Sequence, residues 1–196
     1  MIQVHWYKLI ALMANGALKT LFIYNGIFVF ASGLLGPLYA IFVETIDKNI
    51  LSISLSWSAF LMSTTLCMLF LRKFGDSIKE KEYLLLGGFL IRAFVWFSFP
   101  FISTILILIL LQILLGIGEA IASPAFDAIF AEHLDDGHHV REYTDWKLIS
   151  NIASAIAVIL GGIIIKYTGF SILFLIMGSL ALVSFIGILL KPRRLL

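Results

Sequence analysis

The sequence predicts an all-α membrane protein with six transmembrane helices. Three observations carry that expectation. Six apolar runs are each long enough to cross a hydrocarbon layer about 30 Å thick as a helix. The chain is 61% hydrophobic and 13% charged, with a mean hydropathy of +1.04, whereas a soluble domain is about one quarter charged. The basic residues are also segregated. Lys8, Lys19, Arg72, Lys73, Lys79, Lys81, Arg141, Lys147, Lys191, Arg193 and Arg194 fall on one side of the predicted spans, and Lys48 and Lys166 on the other. That bias orients the chain with both termini in the cytoplasm of a multi-pass protein of the cell (plasma or inner) membrane.

Residues 1–18 form a mixed segment in which Trp6, Leu9, Ile10 and Met13 recur at helical spacing, as in an interfacial helix or a cytoplasmic extension of the first span. The six-helix bundle follows over residues 19–191, and 192–196 form a cytoplasmic tail. The spans are expected at Thr20–Val43, Ile50–Leu71, Tyr83–Phe99, Thr104–His133, Trp146–Ile165 and Phe170–Leu190. Asn25, Ser32, Gly36 and Tyr39 share one face of the first, and Pro37 sits late in it. The third carries Arg92, and its aromatic end (Phe94, Trp96, Phe97, Phe99, Phe101) is expected to anchor the outer interface. Ala40–Glu44 and Ala128–Glu132 are similar pentapeptides three spans apart, the spacing of a 3+3 inverted repeat.

The fourth span organises the rest. Gln112, Gly116, Glu119, Ser123 and Asp127 lie on one narrow helical face, with Leu, Ile, Ala and Phe around the remainder. A carboxylate within hydrocarbon costs from about 3 kcal/mol upward, so this face must meet protein or water. Arg92 supplies an opposite charge on the third span for either acid. Such a pair binds a solute or protons, or else holds the third and fourth helices together.

These residues resemble the N-terminal six-helix half of a major facilitator superfamily transporter. The likeness rests on Leu115-Gly-Ile-Gly-Glu119, Pro124-Ala125 and Ala131-Glu132 in the fourth span, on the loop Lys73-Phe-Gly-Asp-Ser-Ile-Lys-Glu-Lys81, on Gly161-Gly162 followed by Tyr167-Thr-Gly-Phe-Ser-Ile-Leu-Phe174, and on Gly36-Pro37-Leu-Tyr39. Gln112 stands where that family often has an arginine, Arg72 stands where its loop motif has glycine, and the antiporter proline of its fifth helix is absent. The resemblance implies a half-size secondary transporter moving a small solute by alternating access. Glu119, Asp127, Arg92, Asn25 and Ser123 would bind the solute or protons, and Asp76, Lys79, Lys81 and Glu132 would gate the cytoplasmic side. The second and fifth spans join the halves in that family. Their stripes of small residues (Ser52, Ser56, Ala59 and Ser63; Ala153, Ala157 and Gly161) would then meet a second six-helix unit, a second copy or a paralogous half. Internal packing accounts for either stripe taken alone.

Membrane lipid and a solute are the other expected partners, and neither nucleic acid nor a cofactor is expected. Hydrolase and zinc-protease motifs are absent, which argues against an enzyme. His133, His138 and His139 beside Asp135 and Asp136 lack metal-site spacing, so no metal is expected. Two other readings stay open: a membrane scaffold that reuses the fold, and a fragment of a twelve-helix transporter.

Overall fold

The computed structural model describes residues 16–75, 78, 80–134, 137 and 139–190. Most of the N-terminal segment, the C-terminal tail, Asp76, Lys79, Asp135, Asp136 and His138 lie outside the described residues. Helices α1 (Gly16–Gly33) and α2 (Tyr39–Ile46) make the first span, joined by a 3-10 turn at Gly36–Leu38. Each later span is one helix: α3 (Ile50–Phe74), α4 (Glu82–Ser98), α5 (Ile105–Glu132), α6 (His139–Thr168) and α7 (Phe170–Leu189). All six spans are long and apolar enough to cross a membrane.

Local chemistry sets the breaks. Pro37 has no amide hydrogen to continue the helix, and Gly36 takes φ +29°, so the first span turns there instead of running straight through. Asn49 caps α3 by accepting from the Leu51 amide at 3.0 Å. Asp47, just before it, accepts from the Asn49 amide (3.0 Å) and the Ser52 hydroxyl (2.5 Å). The Ser52 bond and the Asn49 amide hold the Asp47 carboxyl below the usual carboxylate range. Gly169, at φ +83°, makes the sharp link from α6 to α7.

Helix α5 lies between α3 and α4; α7 packs on α4 and α1, and α6 on α1 and α7. The close approaches are made by glycine. A Cβ on Gly88 of α4 would fall 2.3 Å from the Ala122 Cβ of α5, and one on Gly161 of α6 would fall 1.9 Å from the Leu34 carbonyl oxygen. One end of the core is a cluster of Phe42, Phe99, Phe170 and Phe174, with Phe42 and Phe174 centred 4.7 Å apart. At the other end, Phe22 stacks on Trp146 at 5.0 Å beside Phe126 and Phe130.

One expectation needs correction. Trp96 and Phe99 are core residues, 4% and 1% exposed, because Trp96 packs on Phe28 and Phe99 on Phe42 and Phe174. Of the five aromatic residues expected at the interface, Phe94 and Phe101 are exposed. Most residues of the small stripes also make contacts within the chain. Ser52 bonds Asp47, Ser56 accepts from the Tyr39 hydroxyl, and Ser63 donates to the Ile113 carbonyl. Ala157 and Gly161 receive the broken corner of the first span at Gly33 and Leu34. Ala59 and Ala153 are half-buried. What α6 turns outward is Ile152, Ile156, Ile159 and Ile163.

Candidate functional site

The polar face of α5 changes partners along its length. Gln112 is 2% exposed and meets α2 and α3. There the Tyr39 hydroxyl donates to Ser56 Oγ at 2.7 Å, and Ser56 donates to the Ile53 carbonyl at 3.0 Å. Gln112 also hydrogen-bonds Tyr39, and since that hydroxyl's proton is already given to Ser56, the Gln112 amide is the donor. Three helices are thus tied by one directional chain of buried polar groups. One turn further, Gly116 lets α3 come close. A Cβ there would lie 2.5 Å from the Phe60 carbonyl oxygen, and Thr64 donates to the Gly116 carbonyl at 3.2 Å.

Glu119 comes next and forms an ion pair with Arg92 of α4. Neighbouring glycines allow it, since Gly118 of α5 faces Arg92 Cγ and the Gly88 carbonyl of α4 without a side chain between them. Arg92 is almost wholly buried, with its guanidinium carbon 4.7 Å from the centre of the Phe28 ring of α1. Phe28 itself stacks against Phe89 (4.4 Å) and Trp96 (5.5 Å), one turn to either side of Arg92. The cation is therefore held between an aromatic face and a carboxylate. The Glu119 side chain keeps one third of its surface exposed, so the pair has one open side.

The other expected site residues do not gather around this pair. Asp127 lies about 12 Å further along α5 at 1.5 Å per residue, is exposed, and accepts a hydrogen bond from Tyr143 of α6, with Lys147 close by. The Lys147 ammonium lies 5.7 Å from the Tyr143 ring centre, which completes an acid–phenol–amine group between α5 and α6. Ser123 is half-buried between the two acids, and Asn25 is buried on α1 at 7% exposure. Pro124 interrupts the α5 hydrogen-bond ladder between Glu119 and Asp127. Of the expected gate residues, Lys81 at the start of α4 forms an ion pair with Glu132 at the end of α5. A cavity of about 400 Å³ beside them is lined by Arg72, Met68, Leu84, Pro124 and Ala128.

Sequence reasoning missed the seat that Phe28 gives Arg92, the Tyr39–Ser56–Gln112 chain, and the Tyr143 and Lys147 partners of Asp127. Tyr39 and Gln112 were legible as members of polar faces. Phe28 gave no signal among 17 phenylalanines.

The sequence model of the Major Facilitator Superfamily matches residues 21–195. The chain is also 24% identical over 138 residues to "Uncharacterized MFS-type transporter YitZ" of Bacillus subtilis (strain 168), an alignment that covers 70% of this chain and 84% of that protein. The relative is therefore the shorter of the two.

Proposed function

The chain belongs to the Major Facilitator Superfamily, and on that premise we propose that this transporter moves a small solute by alternating access, with the Arg92–Glu119 pair at its centre. The observation that carries the reading is the buried cation over Phe28, neutralised by a carboxylate that stays one-third exposed. Protonation of Glu119, or an anionic group on the solute, takes the carboxylate off Arg92 and leaves the guanidinium free to hold the solute. Asp127, Ser123 and Asn25 serve as further polar stations along α5 and α1. Lys81 and Glu132 latch the ends of α4 and α5, with Asp76 and Lys79 of the same loop as their helpers. Exchanging charges at both positions restores the latch and exchanging one breaks it. Cysteine accessibility near Ala128 should therefore rise in Lys81→Glu and return toward the native value in Lys81→Glu/Glu132→Lys. Equal accessibility in all three proteins would remove the latch.

The helix pairings support a 3+3 repeat. Exchanging the first three spans for the last three turns the α3–α5 pairing into α1–α6, and α4–α5 into α1–α7, and all four pairings are present. A second six-helix unit, a second copy of this chain or a paralogous half, closes the open side of the bundle. The second and fifth spans are the least covered by their own chain, with 11% of their most apolar stretch buried against 33–50% in the others. The basic-residue bias supports cytoplasmic termini in the cell membrane.

Flux of a solute panel into proteoliposomes, with and without a pH gradient, tests the reading. Glu119→Gln should reduce flux about tenfold or more and abolish its response to the gradient, since breaking a buried pair costs several kcal/mol. Native flux and native pH response in Glu119→Gln would make the pair structural.

A further inference from the structure

Among the described residues Arg92 has one ion-pair partner, Glu119, and one aromatic partner, Phe28. The two contacts differ in kind. The carboxylate loses its charge when it takes a proton, and its side chain keeps a third of its surface exposed. The ring cannot be neutralised and is 4% exposed. It is also held in orientation. Phe28 lies nearly parallel to Phe89 (21°) and to Trp96 (22°), which stand three residues before Arg92 and four after it on the same face of α4. Turning the ring away from the guanidinium would unstack both. A guanidinium keeps its charge throughout the physiological range. Once Glu119 is neutralised, Arg92 is therefore a buried cation whose remaining attraction is the negative face of one ring.

We propose that Phe28 is a positioning residue: the face of its ring keeps Arg92 seated while Glu119 gives up its charge, so the carboxylate leaves and the cation stays. This rests on the reading that Glu119 leaves Arg92 during transport, and it makes Phe28 the residue that sets how readily it does so. The negative face of the ring attracts the guanidinium and repels the carboxylate, so it weakens the ion pair beside it. The titratable and charged groups facing Glu119 among the described residues are Arg92 on α4, the Cys67 thiol one turn beyond Ser63 and Thr64 on α3, and Asp127 about 12 Å along α5. Helix α1 contributes Phe28 and the uncharged Asn25.

The test reads Glu119 directly. An apolar carbodiimide modifies carboxyl groups in their protonated form, and the open side of the pair admits it. The full chain in detergent is labelled across a pH series, and modification of Glu119 and Asp127 is followed by peptide mass spectrometry, with Glu119→Gln as the unlabelled reference. The phenylalanine at position 28 is replaced by ring-fluorinated phenylalanines, which keep the shape of the ring and drain its negative face step by step. The pH of half-labelling at Glu119 should fall with each step, by about half to one pH unit for the most fluorinated ring, the worth of one cation–π contact. Asp127 should keep its native profile, because its partners are Tyr143 and Lys147. Phe28→Leu should move Glu119 in the same direction as fluorination. A Glu119 midpoint that ignores fluorination would make Phe28 a packing residue and overturn the proposal. Equal shifts at Glu119 and Asp127 would overturn it as well, since they would report a change in the whole bundle. Labelling needs no solute, so native flux and pH response in Glu119→Gln would remove the transport reading while the fluorinated series still decides the role of Phe28.

Discussion

Single residues in this bundle matter through how completely their polar atoms are committed. Tyr39 is the clearest instance, because its hydroxyl is both donor and acceptor in a chain that ties α2, α3 and α5. Tyr39→Phe keeps the ring in place and removes the hydroxyl, leaving Gln112 and Ser56 each one bond short at 2% and 0% exposure. The expected cost is about 1–2 kcal/mol, read as a lower thermal midpoint in detergent. Ser32→Ala is the control. That hydroxyl is exposed and bonds the Val29 carbonyl on its own helix, so the midpoint should hardly move. Arg92 follows the same logic with a charge. Its guanidinium is buried first by Phe28 and then by Glu119, so the carboxylate is the partner that can leave.

At the scale of helices, glycine placement decides which pairs approach. Gly161 and Gly162 are adjacent in α6 but differ in what surrounds them. A methyl group on Gly161 would land on the Leu34 carbonyl, while a Cβ on Gly162 has nothing within 4 Å. Leu34 belongs to the turn that breaks the first span, so the backbone there cannot be moved by a simple rotamer change. Gly161→Ala should therefore destabilise by about 1–3 kcal/mol and loosen α6 from α1. Gly162→Ala should be neutral or slightly stabilising through helix propensity. Unfolding of the two variants side by side checks this, and equal stability would mean that the corner of the first span is not clamped by α6. The break at Gly36–Pro37 and the small stripe of α6 thus form one device: the corner protrudes and the stripe admits it.

For the whole molecule, the question is what meets the outward faces of α3 and α6. Ile156 is 50% exposed, and its neighbour Ala157 is fully buried by its own chain. If α6 meets a second copy, Ile156→Cys should crosslink between copies in native membranes, and Ala157→Cys should not. A protein that transports as a monomer, with Ile156→Cys unreactive toward a second copy, would assign that face to lipid. A stripe of small residues in a membrane helix signals a close helix contact, but the signal is blind to whether the contact lies within one chain or between two.

The sequence by itself determined the class and the span count, and it called for an acidic partner to Arg92. Hydrocarbon thickness and the cost of a buried charge act on any helix before it packs, so run length and the presence of intramembrane charges suffice. It also indicated that one face of α5 is polar. Only the tertiary structure decided which acid meets Arg92. Glu119 and Asp127 share a face on the helical wheel, but they lie about 12 Å apart in depth, and α4 approaches at Gly88 and Gly118, beside Glu119. The same approach decides that Ser56 serves Tyr39 and that Gly161 serves Leu34, since a side chain's partner depends on the register and rotation of two packed helices. Periodicity along one helix fixes neither of these.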